Sequence, residues 1–177
     1  CSVEINAPLE ATSEREPQAV SEATPTPEPS GAQGFARFGF GPELLKALEA
    51  IGYQEPSPIQ KAAIPELMLG RDLVGQAQTG TGKTAAFALP MLAALDPQER
   101  KPQVLVLAPT RELALQVADA FNSYATHLSG VRTLAIYGGA DFRDQIHQLK
   151  RGVQIVVGTP GRVMDHMRQG TLDLSNL

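Results

Sequence analysis

The stretch LVGQAQTGTGKTAAFALP, residues 73–90, holds the decisive pattern: a short apolar run, a glycine-rich loop, then a second apolar run. Its centre, Ala77-Gln78-Thr79-Gly80-Thr81-Gly82-Lys83-Thr84, matches G-x-x-x-x-G-K-[ST] except at the first position, where alanine fits the turn if its φ is negative. The flanking composition predicts a strand at 72–75 and a helix at 83–94. Gly80 and Gly82 let the backbone wrap so that successive N–H groups face inward as an anion nest. The following helix N-terminus adds partial positive charge at the same point. A triphosphate is the natural guest, with Lys83 reaching the β- and γ-phosphates and Thr84 placing its hydroxyl on Mg²⁺. The expected nucleotide-binding set is therefore Ala77, Gln78, Thr79, Gly80, Thr81, Gly82, Lys83 and Thr84. Lys83 and Thr84 are the catalytic candidates, and Thr84 is the metal ligand beside the phosphate oxygens. A lone match of this kind also describes an ordinary Gly/Thr-rich turn; the strand-loop-helix context separates the two readings.

Downstream, the strand-then-helix pattern recurs. Strands are predicted at 103–107, 133–137 and 154–157, and helices at 111–127, 141–150 and near 161–168. The strands are Val/Leu/Ile runs without polar alternation, as a parallel sheet covered by helices on both faces requires. The class is α/β: a mostly parallel sheet flanked by helices. No 20–50-residue sequence period recurs, so a repeat solenoid is not indicated.

Upstream, PELLKALEAI at 42–51 has apolar residues at helical spacing, with Gly52 as its stop. Ser57 as N-cap and Pro58 at the first helical position predict a second helix ending near Gly70. The stretch before Phe35 differs. Residues 1–34 hold six glutamates against Arg15, five prolines and no aromatic side chain, the composition of a disordered tail. That segment carries −5 of the chain's net −4, so residues 35–177, with 13 acidic and 14 basic side chains, are close to neutral. Overall acidity is thus no argument against a polyanionic partner. The expected organisation is an acidic, Pro-rich tail at 1–34, a helical region at 35–70 and a nucleotide-binding domain from 71 to 177.

Cys1 is the single cysteine, which excludes an intrachain disulfide and suits a reducing compartment, so a cytoplasmic location is expected. The longest apolar run, 85–95, contains Pro90 and is too short to cross a hydrocarbon core of ~30 Å. No membrane partner is expected, and no basic-then-apolar start suggests a secretory signal. A first residue other than Met reads as a fragment of a longer chain.

Within GYQEPSPIQ at 52–60, Gln60 offers an amide that can pair in bidentate fashion with adenine N6 and N7, whereas guanine presents the wrong edge. Taken in order, this motif, AQTGTGKT at 77–84, PTRELA at 109–114, Gly138-Gly139 and TPGR at 159–162 resemble the DEAD-box RNA helicase family, from Phe35 to Leu177. Five motifs in order are far more specific than one, and Ala77 is that family's own variant. The resemblance implies a RecA-like domain with a Q-motif region before it. It also implies that Phe35 stacks on adenine, that Tyr53 lines the same pocket, that Gln60 reads the adenine edge, and that ATP with Mg²⁺ is bound in preference to GTP.

Thr110-Arg111 and Thr159 to Arg162 each follow a predicted strand, where an open α/β sheet presents its ligand crevice. Both threonines also suit helix N-caps, Pro160 suits a first helical turn and Glu112 complements a helix dipole. Hydroxyls, helix N-terminal amides and arginines together bind phosphate oxygens without reading bases. The resemblance assigns such motifs to RNA backbone contact, which selects Thr110, Arg111, Gly139, Thr159, Gly161 and Arg162. Arg143, Lys150 and Arg151 are secondary candidates, better explained as solvated helix charges. His127, His147 and His166 lack metal-site spacing and read as surface residues.

No Asp-Glu-Ala-Asp string, the acidic motif that would hold Mg²⁺ and place the attacking water, occurs in the chain. In the resembled family that strand comes next, and a second, C-terminal RecA-like domain of the same polypeptide supplies arginines across the cleft. The expectation is an ATP-dependent RNA helicase whose full-length form couples hydrolysis to unwinding of RNA duplexes, while residues 1–177 alone bind nucleotide weakly and turn over little. A P-loop kinase or transferase shares the loop but has no reason to retain poly(U). A non-catalytic RNA-binding module would keep its cellular activity after Lys83→Ala.

Overall fold

The structure is a computed structural model that describes residues 33–177 and the backbone of residues 3–6. In chain order it contains β1 (Val3–Asn6), a 3₁₀ turn over Gly34–Phe38, α1 (Pro42–Ala50), α2 (Pro58–Met68), β2 (Leu73–Gln76) and α3 (Lys83–Ala94). There follow β3 (Val104–Leu107), α4 (Arg111–Tyr124), β4 (Thr133–Ile136), α5 (Phe142–Lys150), β5 (Ile155–Gly158) and α6 (Pro160–Arg168).

Local chemistry accounts for the helix starts. Proline opens α1, α2 and α6 within the first turn, where its missing N–H costs nothing. Thr110 accepts a hydrogen bond from Leu113 N at 3.2 Å to cap α4, and Asp141 accepts one from Arg143 N at 2.7 Å to cap α5. On α4, Ala114, Val117, Ala118, Phe121 and Tyr124 recur at intervals of three and four, and all five are buried. This helix stops at Tyr124, short of the expected 127, because Leu128 N turns back to Ala125 O.

All strand pairings are parallel, as expected, but the strands make two sheets. One pairs β1 with β2; the other runs β3-β5-β4. Among the described residues no ladder joins β2 to β3. Among strands β2 to β5, only β5, flanked on both edges, is buried over its whole length, whereas β4 alternates half-buried with buried residues. A run of Val and Leu therefore marks a strand without telling whether it lies at the centre or the edge. Successive residues of β5 serve opposite faces. Ile155 and Val157 enter the larger core with Phe35, Leu48, Ile64, Leu89 and Phe121, while Val156 joins Leu134, Ile136, Val153, Val163 and Leu172.

The expected tail at 1–34 lies mostly outside the described residues. Within it, Val3–Asn6 is extended and pairs in register with Leu73–Gln76. An open strand edge offers unpaired backbone groups to any extended segment nearby, which composition alone does not reveal.

Candidate nucleotide and RNA-backbone site

Gln76 ends β2 and the chain turns through 77–82 into α3, whose first residue is Lys83. Gly80 and Gly82 hold left-handed φ values of +78° and +84°. At Gly82 a Cβ would sit 2.3 Å from Gln60 Nε2, so this cradle has no room for a side chain. The loop is pinned from within and from α2. Thr81 Oγ1 donates to Gln78 O at 2.8 Å, Ser57 Oγ to Thr81 O at 2.8 Å, and Gln60 Nε2 to Gly82 O at 3.1 Å. Lys83 Nζ donates to Ala77 O, so its ammonium already arches across the loop that would hold phosphate.

Gln60 is 4% exposed, and its Oε1 also accepts from Ser57 N at 2.8 Å. One amide hydrogen and one oxygen lone pair stay free of these contacts, the pair that a bidentate adenine contact needs. The aromatic part of the expected base pocket is placed differently. Phe35 is buried in the core and stacks on Tyr53 with ring centroids 5.8 Å apart. The cleft beside them is lined by Gly34, Leu45, Leu48, Glu49 and Gln54 as well, and by neither Gln60 nor the 77–84 loop. Tyr53 hydroxyl lies 3.2 Å from that of Tyr124, and burial, then this hydrogen bond, raises the Tyr124 pKa. The structure thus joins Gln60 to the loop, and Phe35 to Tyr53, as two separate groups.

Thr84 is half-buried on the first turn of α3, where its hydroxyl suits a cation brought in with phosphates. Among the described residues no cluster of three or more His, Cys, Asp or Glu side chains is built to hold a metal. A Mg²⁺ ion would therefore take Thr84 and nucleotide oxygens from this part of the chain.

The second group of candidates comes together through strand register. Leu107, Gly158 and Ile136 stand level across β3, β5 and β4, so Thr110, Thr159 and the 138–139 glycines all emerge at the same carboxyl edge. Gly158 permits this. A Cβ there would lie 2.6 Å from Val163 Cγ2, 2.7 Å from Ile136 Cγ1 and 3.0 Å from Ile136 O. Thr110 uses its hydroxyl as a cap, but Thr159 makes no side-chain cap bond, which leaves that hydroxyl for another partner. Gly139 is exposed at φ +84°, and Gly161 is exposed in the first turn of α6. Arg111 sits over the Tyr137 ring at 4.8 Å, and Arg162 over Phe142 at 5.2 Å. Arg143, Lys150 and Arg151 are exposed on or just after α5.

His166 corrects the surface reading given to the histidines. It is fully buried, stacked on Phe142 at 4.2 Å, with Nδ1 2.8 Å from Thr171 Oγ1 and Nε2 3.0 Å from Gln145 Oε1. Sequence offered little sign of this, since the partner glutamine is 21 residues away. Burial, followed by the nearby Arg162 charge, lowers the His166 pKa. The unfolded chain therefore binds the extra proton first, and stability is expected to fall as pH drops below about 6.5, flattening once the folded form is also protonated. Urea midpoints at about pH 7.5 and about pH 5.5 check this against His166→Asn. An equal pH loss in both proteins would contradict it.

Residues 57–177 match the family described as DEAD/DEAH box helicase. The protein named ATP-dependent RNA helicase DeaD from Escherichia coli is 56% identical over 143 residues, covering 81% of this chain and 23% of that protein. Its Mycobacterium tuberculosis namesake is 54% identical over 148 residues, 84% of this chain and 26% of the other. Among solved structures, a DEAD box protein from the hyperthermophile Methanococcus jannaschii superposes with a TM-score of 0.77 at 38% identity, over 82% of this chain and 40% of that one. A form of S. cerevisiae Dbp5 bound to RNA and ADP BeF3 gives 0.73 at 37%, over 82% and 36%. The chain spans about a quarter of the length of the curated relatives it matches. The glycine-rich loop leading into α3 and an ordered row of motifs, matched over 57–177, lead to one assignment: the chain belongs to the DEAD/DEAH box helicase family.

Proposed function

We propose that this segment binds ATP with Mg²⁺ and the backbone of single-stranded RNA, as part of an ATP-dependent RNA helicase whose full-length form couples hydrolysis to unwinding of RNA duplexes. The observation that carries the reading is the shared carboxyl edge. Register aligns the strand ends Leu107, Ile136 and Gly158, so Thr110, Gly139 and Thr159 follow from one edge, with Arg111 and Arg162 on the first turns of α4 and α6. Such a row of hydroxyls, exposed backbone and guanidinium groups suits a chain of phosphates read without base contacts.

On the other side Lys83 grips the β- and γ-phosphates, Thr84 ligates Mg²⁺, and the free donor and acceptor of Gln60 check the adenine edge, with Phe35 and Tyr53 supporting the base after rearrangement. The reading includes a second RecA-like domain of the same polypeptide, which completes the ATP site across the cleft, and a cytoplasmic location. Among the described residues no helix is long and apolar enough to cross a membrane.

Strand displacement by the full-length chain is the direct test. A short labelled RNA duplex should separate with Mg·ATP and not with Mg·ADP, and oligouridylate should accelerate phosphate release at least about tenfold. Phosphate release indifferent to RNA, with no strand separated, would sink the proposal and favour another nucleotide-dependent transferase.

A further inference from the structure

Behind the 138–139 turn lies a set of buried polar contacts that the reading above does not use. Gln145, on α5, is 4% exposed. Its Oε1 accepts from Arg162 Nη1 at 3.1 Å and faces His166 Nε2 at 3.0 Å, while its Nε2 donates to Tyr137 O at 3.2 Å. The amide orientation follows from these partners. Turned over, its NH₂ would meet the Arg162 donor and its oxygen would meet the Tyr137 carbonyl. With Oε1 able only to accept, His166 Nε2 carries the proton toward Gln145, while Nδ1 lies 2.8 Å from Thr171 Oγ1, a hydroxyl that also reaches His166 O at 3.1 Å. Two hydrogens in the row then have one direction: His166 to Gln145, and Gln145 to Tyr137.

The same row grips the site at both ends of its glycine turn. Tyr137 O, at the start, receives Gln145, and Ala140 O, at the end, receives Arg162 Nη1 at 3.2 Å. Both Nη1 hydrogens of Arg162 are thereby used, which leaves Nε and Nη2 as the side-on fork that suits two phosphate oxygens. At Gly138 and Gly139 an added Cβ would meet nothing within 4 Å, so crowding does not shape this turn; the pins at its ends do. Tyr137 in turn carries Arg111 on its ring, and Phe142 contacts both Arg162 and the His166 ring. The two arginines chosen for backbone contact, on different helices, are thus tied to one buried amide.

We propose that Gln145, held from behind by His166, is a positioning residue for RNA binding: it sets the Arg162 fork and the Tyr137–Ala140 turn in the geometry that receives a backbone phosphate. This rests on the reading of Arg162 as a phosphate contact. A flexible arginine loses rotamer freedom on binding, whereas one already held at Nη1 has given that freedom up in folding.

The test uses the full-length chain, a labelled oligouridylate, Mg²⁺ and a non-hydrolysable ATP analogue, with affinity followed across salt concentration. Arg162→Ala should weaken RNA binding about fivefold and lower the salt slope by about 0.7, the value of one phosphate on a single strand. Gln145→Leu, similar in volume but without hydrogen bonds, should give most of both changes while analogue affinity stays within about twofold. Combined with Arg162→Ala it should add nothing further. His166→Phe, which keeps a ring on Phe142 but has no donor, should behave like Gln145→Leu, and His166→Gln, whose amide can reach Gln145, should restore binding. Should Gln145→Leu misfold, the His166 pair carries the same comparison.

An Arg162→Ala variant with unchanged affinity and slope would overturn both the inference and the phosphate reading beneath it. A weakened Arg162→Ala beside an unaffected Gln145→Leu, additive effects in the double variant, or equal losses in His166→Phe and His166→Gln would overturn the positioning role alone.

Discussion

Lys83→Ala in the full-length chain is expected to lower ATP turnover by about 10²–10³-fold, the usual result of removing a group aimed at developing transition-state charge. Lys83 opens α3, is half-buried and already bends over the loop to Ala77 O. Its ammonium therefore needs to exchange only one backbone carbonyl for phosphate oxygens, and the partly enclosed setting makes that charge count for more than in water. The fold should not suffer. The residues by which α3 enters the core, among them Ala85, Phe87, Leu89 and Leu92, are untouched, so unfolding free energy should move by no more than about 0.5 kcal/mol. Phosphate release measured beside a thermal melt separates the two effects. Turnover within about threefold of the parent would show that the loop does not work as proposed.

Gly158→Ala is expected to cost about 3 kcal/mol of stability. The added carbon would lie within 3.0 Å of three atoms on two elements, and one of them is the carbonyl oxygen of Ile136, which no side-chain rotation can move. Relief requires β4 or α6 to back away from β5, the strand buried over its whole length. At about 2–4 °C per kcal/mol for a domain of this size, the melting midpoint should drop by roughly 6–12 °C. Gly161→Ala is the matching control, because a Cβ there meets nothing within 4 Å and alanine favours helix. A drop at Gly158 no larger than that at Gly161 would mean that the close approach of β4, β5 and α6 is looser than the structure has it.

The strands and helices from β2 onward were legible as local chemistry. Thr110 ahead of its helix, and Pro58 and Pro160 at helix starts, announce their elements within a few residues. The loop at 77–84 was legible for the same reason, since spacing alone places Lys83 and Thr84 on the first turn of α3. Gln60 was singled out from its motif as a candidate base reader, but its contacts to Ser57 N and Gly82 O depend on α2 packing beside α3. Phe35 and Tyr53 were matched to an adenine pocket by motif, while the structure shows them stacked on each other and Phe35 within the core. An aromatic side chain near a motif carries the same letters whether it waits for a ligand or fills a cavity.

What the sequence by itself determined is what neighbours in the chain decide: α/β alternation, helix starts and the glycine-rich loop at 77–82, each set by residues within one or two turns of one another. Only the tertiary structure decided the order β3-β5-β4, the shared edge formed by the strand ends Leu107, Ile136 and Gly158, the burial of His166 and the bond from Arg162 to Gln145. Those outcomes depend on pairings between residues tens of positions apart. Strand register and the obligation of a buried polar group to find a partner select them, and neither leaves a periodic trace in the amino-acid string.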